Sequence, residues 1–325
     1  MRILTWLQVT ADQFHIGNYF WAIKPLIDLS EKNPGVEVFL FVANMHSFNS
    51  VQDWETIKWN TLNTLKLYLA AWVDPDKIFI YNQADVAGHT QLMRVLTCLT
   101  HMWFMDRMHA YKDKSGKKKA NEISVGLYTY PILMASDILL YDATHIPTGQ
   151  DQKQHVEYAR DIAQKFNHKY GETFVLPEPM IAAEVGVIPG IDGRKMSKSY
   201  NNYIWMLDDV KTIKKKVSRI PTAAIGIEEP KNPDECNIYK ITKLFINNEQ
   251  DIALRERYTS GWLSFGEAKK ELMVYINDFL WPIQEKFATI SDEDIRALLQ
   301  KNAPIANKLA EAKIQEVYKK IGFRI

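Results

Sequence analysis

A chain of 325 residues exceeds the usual single domain of about 100 to 200, so it holds two structural units or one large elaborated one. Hydrophobic residues at 46% and charged residues at 24% lie near the globular average, which excludes disordered, collagen-like and disulfide-scaffold classes. Basic and acidic side chains, 40 against 39, leave a net charge of +1, so any contact with nucleic acid must be a local patch.

The two cysteines, Cys98 and Cys236, are far apart and form no CxxC pair or Cys/His cluster at zinc spacing. Both are expected to be buried thiols in a reducing cytosol, and no structural metal is expected. The apolar stretch Ile3 to Val9 is too short and too polar-edged for a signal peptide, and no run of about 18 apolar residues follows. The expectation is a cytoplasmic protein without a membrane span.

Short β-rich runs and longer helical patterns alternate through the first two thirds. Arg2 to Val9 reads as a strand and Gly17 to Ser30 as a helix. Val36 to Ala43 is a nearly continuous apolar run after Pro34-Gly35, as a buried parallel strand would be. Trp54 to Trp72 has helical periodicity, Lys77 to Tyr81 is a further strand, and His89 to Tyr111 a further helix. This alternation predicts crossover units on a parallel sheet. Lys112 to Asn121 is polar and strongly basic and reads as a loop.

A helix is expected from about Tyr130 to Tyr141, a strand at Thr144 to Pro147 and a helix from Asp151 to Tyr170. An irregular stretch then leads to a glycine-bracketed loop, Gly190-Ile191-Asp192-Gly193-Arg194. Beyond about Asp208 strand signals vanish. Ser264 with Glu267, and Ser291 with Asp294, have the spacing of helix-starting capping boxes. The prediction is an α/β, Rossmann-like parallel sheet over residues 1–200 and an all-helical unit over 201–325.

Two segments carry the chemistry. His15-Ile16-Gly17-Asn18 opens a helix after the first strand, where free backbone N–H groups and a positive dipole end suit a phosphate. Lys195-Met196-Ser197-Lys198-Ser199 follows the glycine-bracketed loop, and two ammonium groups three residues apart can neutralise a triphosphate and the charge on departing pyrophosphate. Either could be plain surface alone. Together they match the paired motifs of class I aminoacyl-tRNA synthetases.

Over nearly its whole length the chain resembles the bacterial tryptophanyl-tRNA synthetases. The segments that carry the resemblance are Thr129 to Tyr141, Gly149 to His155 and Gly190 to Ser199. The related tyrosyl-tRNA synthetases typically have Gln where Met134 stands, which favours tryptophan; a tyrosine enzyme and a non-catalytic synthetase-like binding protein are the alternatives. Tyr130, Met134, Asp137 and Tyr141 share one helix face by spacing. A carboxylate among Met and aromatic groups needs a donor, and an indole N–H is one.

By resemblance, Asp137, Met134, Tyr130, Gln152 and Gln8 bind tryptophan. Gln8, Gly17, Asn18, Gly149, Gln150, Asp151, Ile188 and Lys195 to Ser199, including Met196, Ser197 and Lys198, bind ATP. Lys195, Lys198, His15 and Lys114 are the implied catalytic groups. The implied reaction joins tryptophan to ATP as an adenylate with release of pyrophosphate, assisted by Mg2+, and then charges tRNA(Trp). A homodimer and an anticodon-reading helical domain are implied as well. The stretch Lys211, Lys214, Lys215, Lys216 and Arg219 is a candidate for tRNA phosphates.

The turn Gln8 to Phe14 is one residue longer than the family pattern Gln-Pro-[Ser/Thr]-Gly. Trp6, Trp21 and Trp72 stand where the family has Gly, in a chain with 9 Trp and only 14 Gly. One expectation is that these are UGA codons which the source reads as Gly; genuine divergence is the other.

Overall fold

The computed structural model describes residues 1–106, 124–149, 153–181 and 188–324. Five parallel strands form one sheet: β1 (Arg2–Leu7), β2 (Glu37–Val42), β3 (Ile78–Asn82), β4 (His145–Thr148) and β5 (Glu178–Ile181). Their order is β3-β2-β1-β4-β5, so the chain builds outward from β1 in one direction and then reverses to lay down β4 and β5. That is the doubly wound pattern, whose switch point lies between β1 and β4.

The strands are apolar on both sides because both faces are covered. Ile3 and Leu7 of β1 point with Val38, Leu40, Ile78 and Ile80 into one core, while Leu4 points with Phe39, Phe41 and Tyr81 into the other. This alternation is the two-residue period of a pleated strand. On the first face lie α1 (Ile16–Asn18), a π turn (Tyr19–Ile23), α2 (Lys24–Lys32) and α4 (Trp54–Ala70). The short α3 (Asn44–Ser47) follows β2. On the second face lie α5 (Gly88–Leu99), α7 (Val125–Leu140) and α8 (Lys153–Tyr170), with α6 (Met102–Asp106) between the first two.

The structure departs from the sequence reading in particular places: Cys98 is exposed and Cys236 half-buried, where buried thiols are expected. The helix expected over 89–111 breaks at Thr100, beyond which α6 starts afresh and the basic loop lies outside the described residues. Helix α7 begins five residues before Tyr130, because Ser124 caps it by accepting from the Leu127 N–H, and Pro131 is carried in its interior. Strand β5 falls in the stretch read as irregular. It is an edge strand containing Pro179, and an edge strand tolerates proline because one of its sides has no ladder to complete.

Beyond residue 208 every described element is a helix: α9 (Val210–Ser218), α10 (Asn237–Thr242), α11 (Asn248–Thr259), α12 (Phe265–Thr289) and α13 (Asp292–Lys320). Ser264 caps α12, and Ser291 with Asp294 forms a reciprocal capping box on α13. Leu272, Ile276, Leu280 and Ile283 of α12 join the first core, and Ala306, Ala310, Ile314 and Val317 of α13 join the second. Asn302 of α13 donates to the Ile80 carbonyl at 2.7 Å, which ties that helix to β3. Gly88 lets α5, α7 and α13 meet, since a Cβ there would lie 2.9 Å from the Ala310 Cβ.

Candidate active site

The ladder between β1 and β4 is recorded at a single pair, Ile3 with His145, near the start of β1. A crevice at the carboxyl ends of such strands is where open α/β sheets bind ligands. The segments singled out in the sequence converge there. His15 to Asn18 follow β1, Gly149 follows β4, and the loop from Ile188 to Ser199 follows β5.

His15 caps α1 through a reciprocal box: its Nδ1 accepts from the Asn18 N–H at 3.2 Å, and its own N–H donates to Asn18 Oδ1 at 3.3 Å. With Nδ1 accepting, any ring proton is on Nε2. Burial, with Lys198 adding like-charge repulsion, lowers the pKa of His15 to about 4, so the ring is neutral at physiological pH. It stacks on Tyr203, 6.0 Å between centroids, and backbone bridges tie it to Trp205 and Ile16 to Ile204.

Gly17 joins the two motifs. A Cβ there would lie 2.9 Å from His15 Nδ1 and 3.0 Å from Met196 Sδ, so only glycine lets the helix start sit against both. Met196 is buried, and its N–H donates to the carbonyl of buried Ile188 at 2.8 Å. Asn202 organises the rest of this loop. Its Oδ1 accepts from the Ser197 N–H at 2.8 Å, while Nδ2 donates to Asp192 Oδ1 and the Lys195 carbonyl at 2.7 and 3.0 Å. A side chain at Gly190 would strike Asn202.

Ser197 caps the short turn Lys198–Tyr200, and Asn201 takes the left-handed conformation that Asn tolerates. Lys195, Lys198 and Ser199 are exposed. The Lys198 ammonium lies 5.3 Å above the Trp205 ring, and partial burial lowers its pKa although Asp12 acts in the opposite sense. The loop is thus a braced backbone carrying two ammonium groups, that of Lys198 resting over the Trp205 ring.

Asp137 lies fully buried on α7, with Tyr130 and Met134 also buried on that helix. Its Oδ1 accepts from Gln83 Nε2 at 2.9 Å and pairs with His89 Nδ1 at 2.7 Å; its Oδ2 pairs with His46 Nε2 at 2.8 Å. Burial alone would raise the carboxyl, but His89 and His46 more than offset it, so its pKa is held at about 2 and Asp137 is an anion. Tyr141, placed on the same face by spacing, instead ends α7 in the core against Phe39 and Tyr81.

Gln8 is exposed at the end of β1, and Gly149 is buried after β4. Lys114, Gln150, Asp151 and Gln152 lie outside the described residues. The sequence reading did not single out His46, Gln83, His89, Asn202 or Tyr203. Polar residues just beyond the carboxyl ends of β2 and β3, as His46, Gln83 and His89 are, were the available signal. Among the described residues, no group of three or more His, Cys, Asp or Glu gathers to hold a metal ion.

The family model described as tRNA synthetases class I (W and Y) matches residues 1–281. A Campylobacter jejuni protein named tryptophan–tRNA ligase is 42% identical over 324 residues, covering 99% of this chain and all of that one. A Fusobacterium nucleatum protein of the same name is 42% identical over 95% of this chain and 94% of its own. Among solved structures, Campylobacter jejuni tryptophanyl-tRNA synthetase complexed with ADP and tryptophan superposes with a TM-score of 0.91 at 42% identity, over 99% of this chain and all of that one.

Proposed function

This chain belongs to the class I tRNA synthetases of the tryptophan and tyrosine group, and we propose that it is the tryptophan–tRNA ligase of its source. The observation that carries this reading is the contact of Gly17 with both His15 and Met196. It brings the two nucleotide motifs together at the switch point of the sheet, on an enzyme fold whose relatives act on tryptophan.

ATP lies with its phosphates between the start of α1 and the 195–199 loop. The tryptophan carboxylate attacks the α-phosphorus, the bond to the β-phosphate oxygen breaks, and pyrophosphate leaves. Lys195 and Lys198 meet the negative charge that develops on the leaving group, and the braced loop presets their stems. Asp137 accepts the indole N–H, beside Met134 and Tyr130. Gln8, Gly149, Gln150, Asp151 and Gln152 complete the nucleotide and amino-acid contacts, and Lys114 adds a cation for pyrophosphate. His15 is neutral, and its role is to hold α1 and stack under the loop. Mg2+, the usual companion of ATP, would add positive charge at the phosphates beside Lys195 and Lys198.

In the second step the tryptophanyl group moves to the terminal adenosine of tRNA(Trp). Lys211, Lys214, Lys215 and Arg219 are exposed on and just after α9 and suit tRNA phosphates, whereas Lys216 is engaged by Asp208. The helical unit beyond residue 200 reads the anticodon. The chain acts as a homodimer in the cytoplasm. Supporting a dimer, exposed Phe48, Met102 and Val125 lie near one another, as Tyr128 reaches Met102 and Gly126 abuts Asn49. No helix among the described residues is long and apolar enough to cross a membrane.

The test is charging. The purified protein with ATP should attach labelled tryptophan to a tRNA(Trp) transcript, and charging of a tRNA(Tyr) transcript with tyrosine instead would overturn the reading.

A further inference from the structure

An ionised carboxylate has about four acceptor positions on its two oxygens. Three of those on Asp137 are occupied: Gln83 and His89 take Oδ1, and His46 takes Oδ2. These three partners come from the carboxyl ends of two neighbouring strands, His46 after β2 and Gln83 and His89 after β3. His89 is fully buried, and its Nε2 has no hydrogen-bond partner among the described residues. With Nδ1 directed at Asp137, the ring is spent on that one bond, in a slot between Tyr81 and Phe41.

We propose that His46, Gln83 and His89 are positioning residues that fill three acceptor positions of Asp137 and leave one, on Oδ2, for a single N–H donor of the substrate side chain. The inference rests on the reading of Asp137 as the indole acceptor and adds how its specificity arises. A free carboxylate could rotate and accept from any donor, whereas a clamped one offers one direction only. An aromatic ring without an N–H there leaves a buried anion one bond short, which is how such sites discriminate.

The readout is the ratio of dissociation constants for tryptophan and its sulfur isostere, in which benzothiophene replaces indole, measured by calorimetry on the full chain. The unsubstituted protein should favour tryptophan by roughly 10² or more. In His46→Leu the ratio should fall at least about tenfold while affinity for the isostere stays nearly constant, and His46→Gln, whose amide can replace Nε2–H, should restore much of it. Gln83→Leu serves as the second variant if His46→Leu does not fold. An unchanged ratio in a folded His46→Leu or Gln83→Leu protein overturns the proposal. An unchanged ratio in Asp137→Ala would instead overturn the reading of Asp137 beneath it.

A second inference stands on different observations. Four glycines, Gly171, Gly193, Gly261 and Gly322, adopt positive φ, and so do Asp142 and Asn201, whose short polar side chains tolerate it. The only other described residues there are Trp72 at φ 66° and Trp262 at φ 65°. For a bulky side chain this is an outlier. Trp72 follows the C-cap of α4, and the Val73 N–H reaches back to the Tyr68 carbonyl at 3.1 Å, the bond of a Schellman turn, whose left-handed residue is usually glycine. Trp262 is 70% exposed, so its indole is not kept there by burial.

We infer that positions 72 and 262 are glycine in the protein as its source makes it, encoded by UGA. That triplet differs by one base from the glycine codon GGA and from the tryptophan codon UGG, so a glycine tRNA with one altered anticodon base would read it. Trp6 and Trp21, which by the resemblance stand where glycine is expected, would follow from the same cause. Trp6 packs against the cluster that holds Met134, and a glycine there would clear space on the tryptophan side of the sheet. The gene and the peptide masses of the protein isolated from its source decide. UGA with glycine masses at 72 and 262 is expected; UGG, or tryptophan masses, at either position overturns the inference.

Discussion

Lys195 and Lys198 carry the account at the scale of single residues, because their ammonium groups act on charge that exists mainly in the transition state. Replacing either with Ala should lower the rate of adenylate formation by roughly 10² to 10³ while changing tryptophan affinity little. Pre-steady-state adenylate formation with a separate binding titration checks this, and equal losses in both would contradict the role. Trp262 gives a stability counterpart. Its exposed indole contributes little burial, so Trp262→Gly should relieve left-handed strain of about 1 kcal/mol and raise the denaturant midpoint. At this scale the sequence displayed Asp137 but not its partners. Helical spacing reports which residues share a face, while His46 and His89 reach Asp137 from strands whose order only the fold sets.

Among the elements, α1 and the 195–199 loop behave as one unit, and His15 reports on their union. The folded-state pKa of His15 lies at about 4 against an ordinary value of 6.5. Between those values the unfolded chain holds more protons than the folded one, so stability should fall as pH is lowered through this window. The stability difference between the native chain and His15→Gln should shrink across it. Burial is the first cause and Lys198 the second, so Lys198→Ala should raise the His15 pKa only part of the way toward 6.5 by NMR titration. The elements that sequence reading placed, such as β2 and α8, have one dominant period or a near-continuous apolar run. Strand β5 was hidden because its four residues, Glu178 to Ile181, open on a charged residue and a proline and leave only two apolar residues to read.

At the scale of the whole molecule, α12 packs into the first core, while α13 starts in the first core at Ile295 and runs into the second from Ala306 to Val317. Their capping serines were visible in the sequence, but an apolar stripe does not say what will cover it. Asn302 makes a simple probe of this arrangement. Asn302→Leu leaves the Ile80 carbonyl without its donor and should cost about 1 to 3 kcal/mol. Denaturant unfolding followed by circular dichroism checks this cost.

The central claim is that this fold activates tryptophan with ATP, and its most direct measurement is amino-acid-dependent exchange of labelled pyrophosphate into ATP, run in parallel with tryptophan and tyrosine. Exchange with tryptophan should exceed exchange with tyrosine by roughly 10⁴ or more, because the only ring donor of tyrosine is its para O–H, which does not replace the ring-edge N–H that the buried, clamped Asp137 accepts. Equal or faster exchange with tyrosine, or none with either amino acid in a protein carrying glycine at positions 6, 21, 72 and 262, would contradict it.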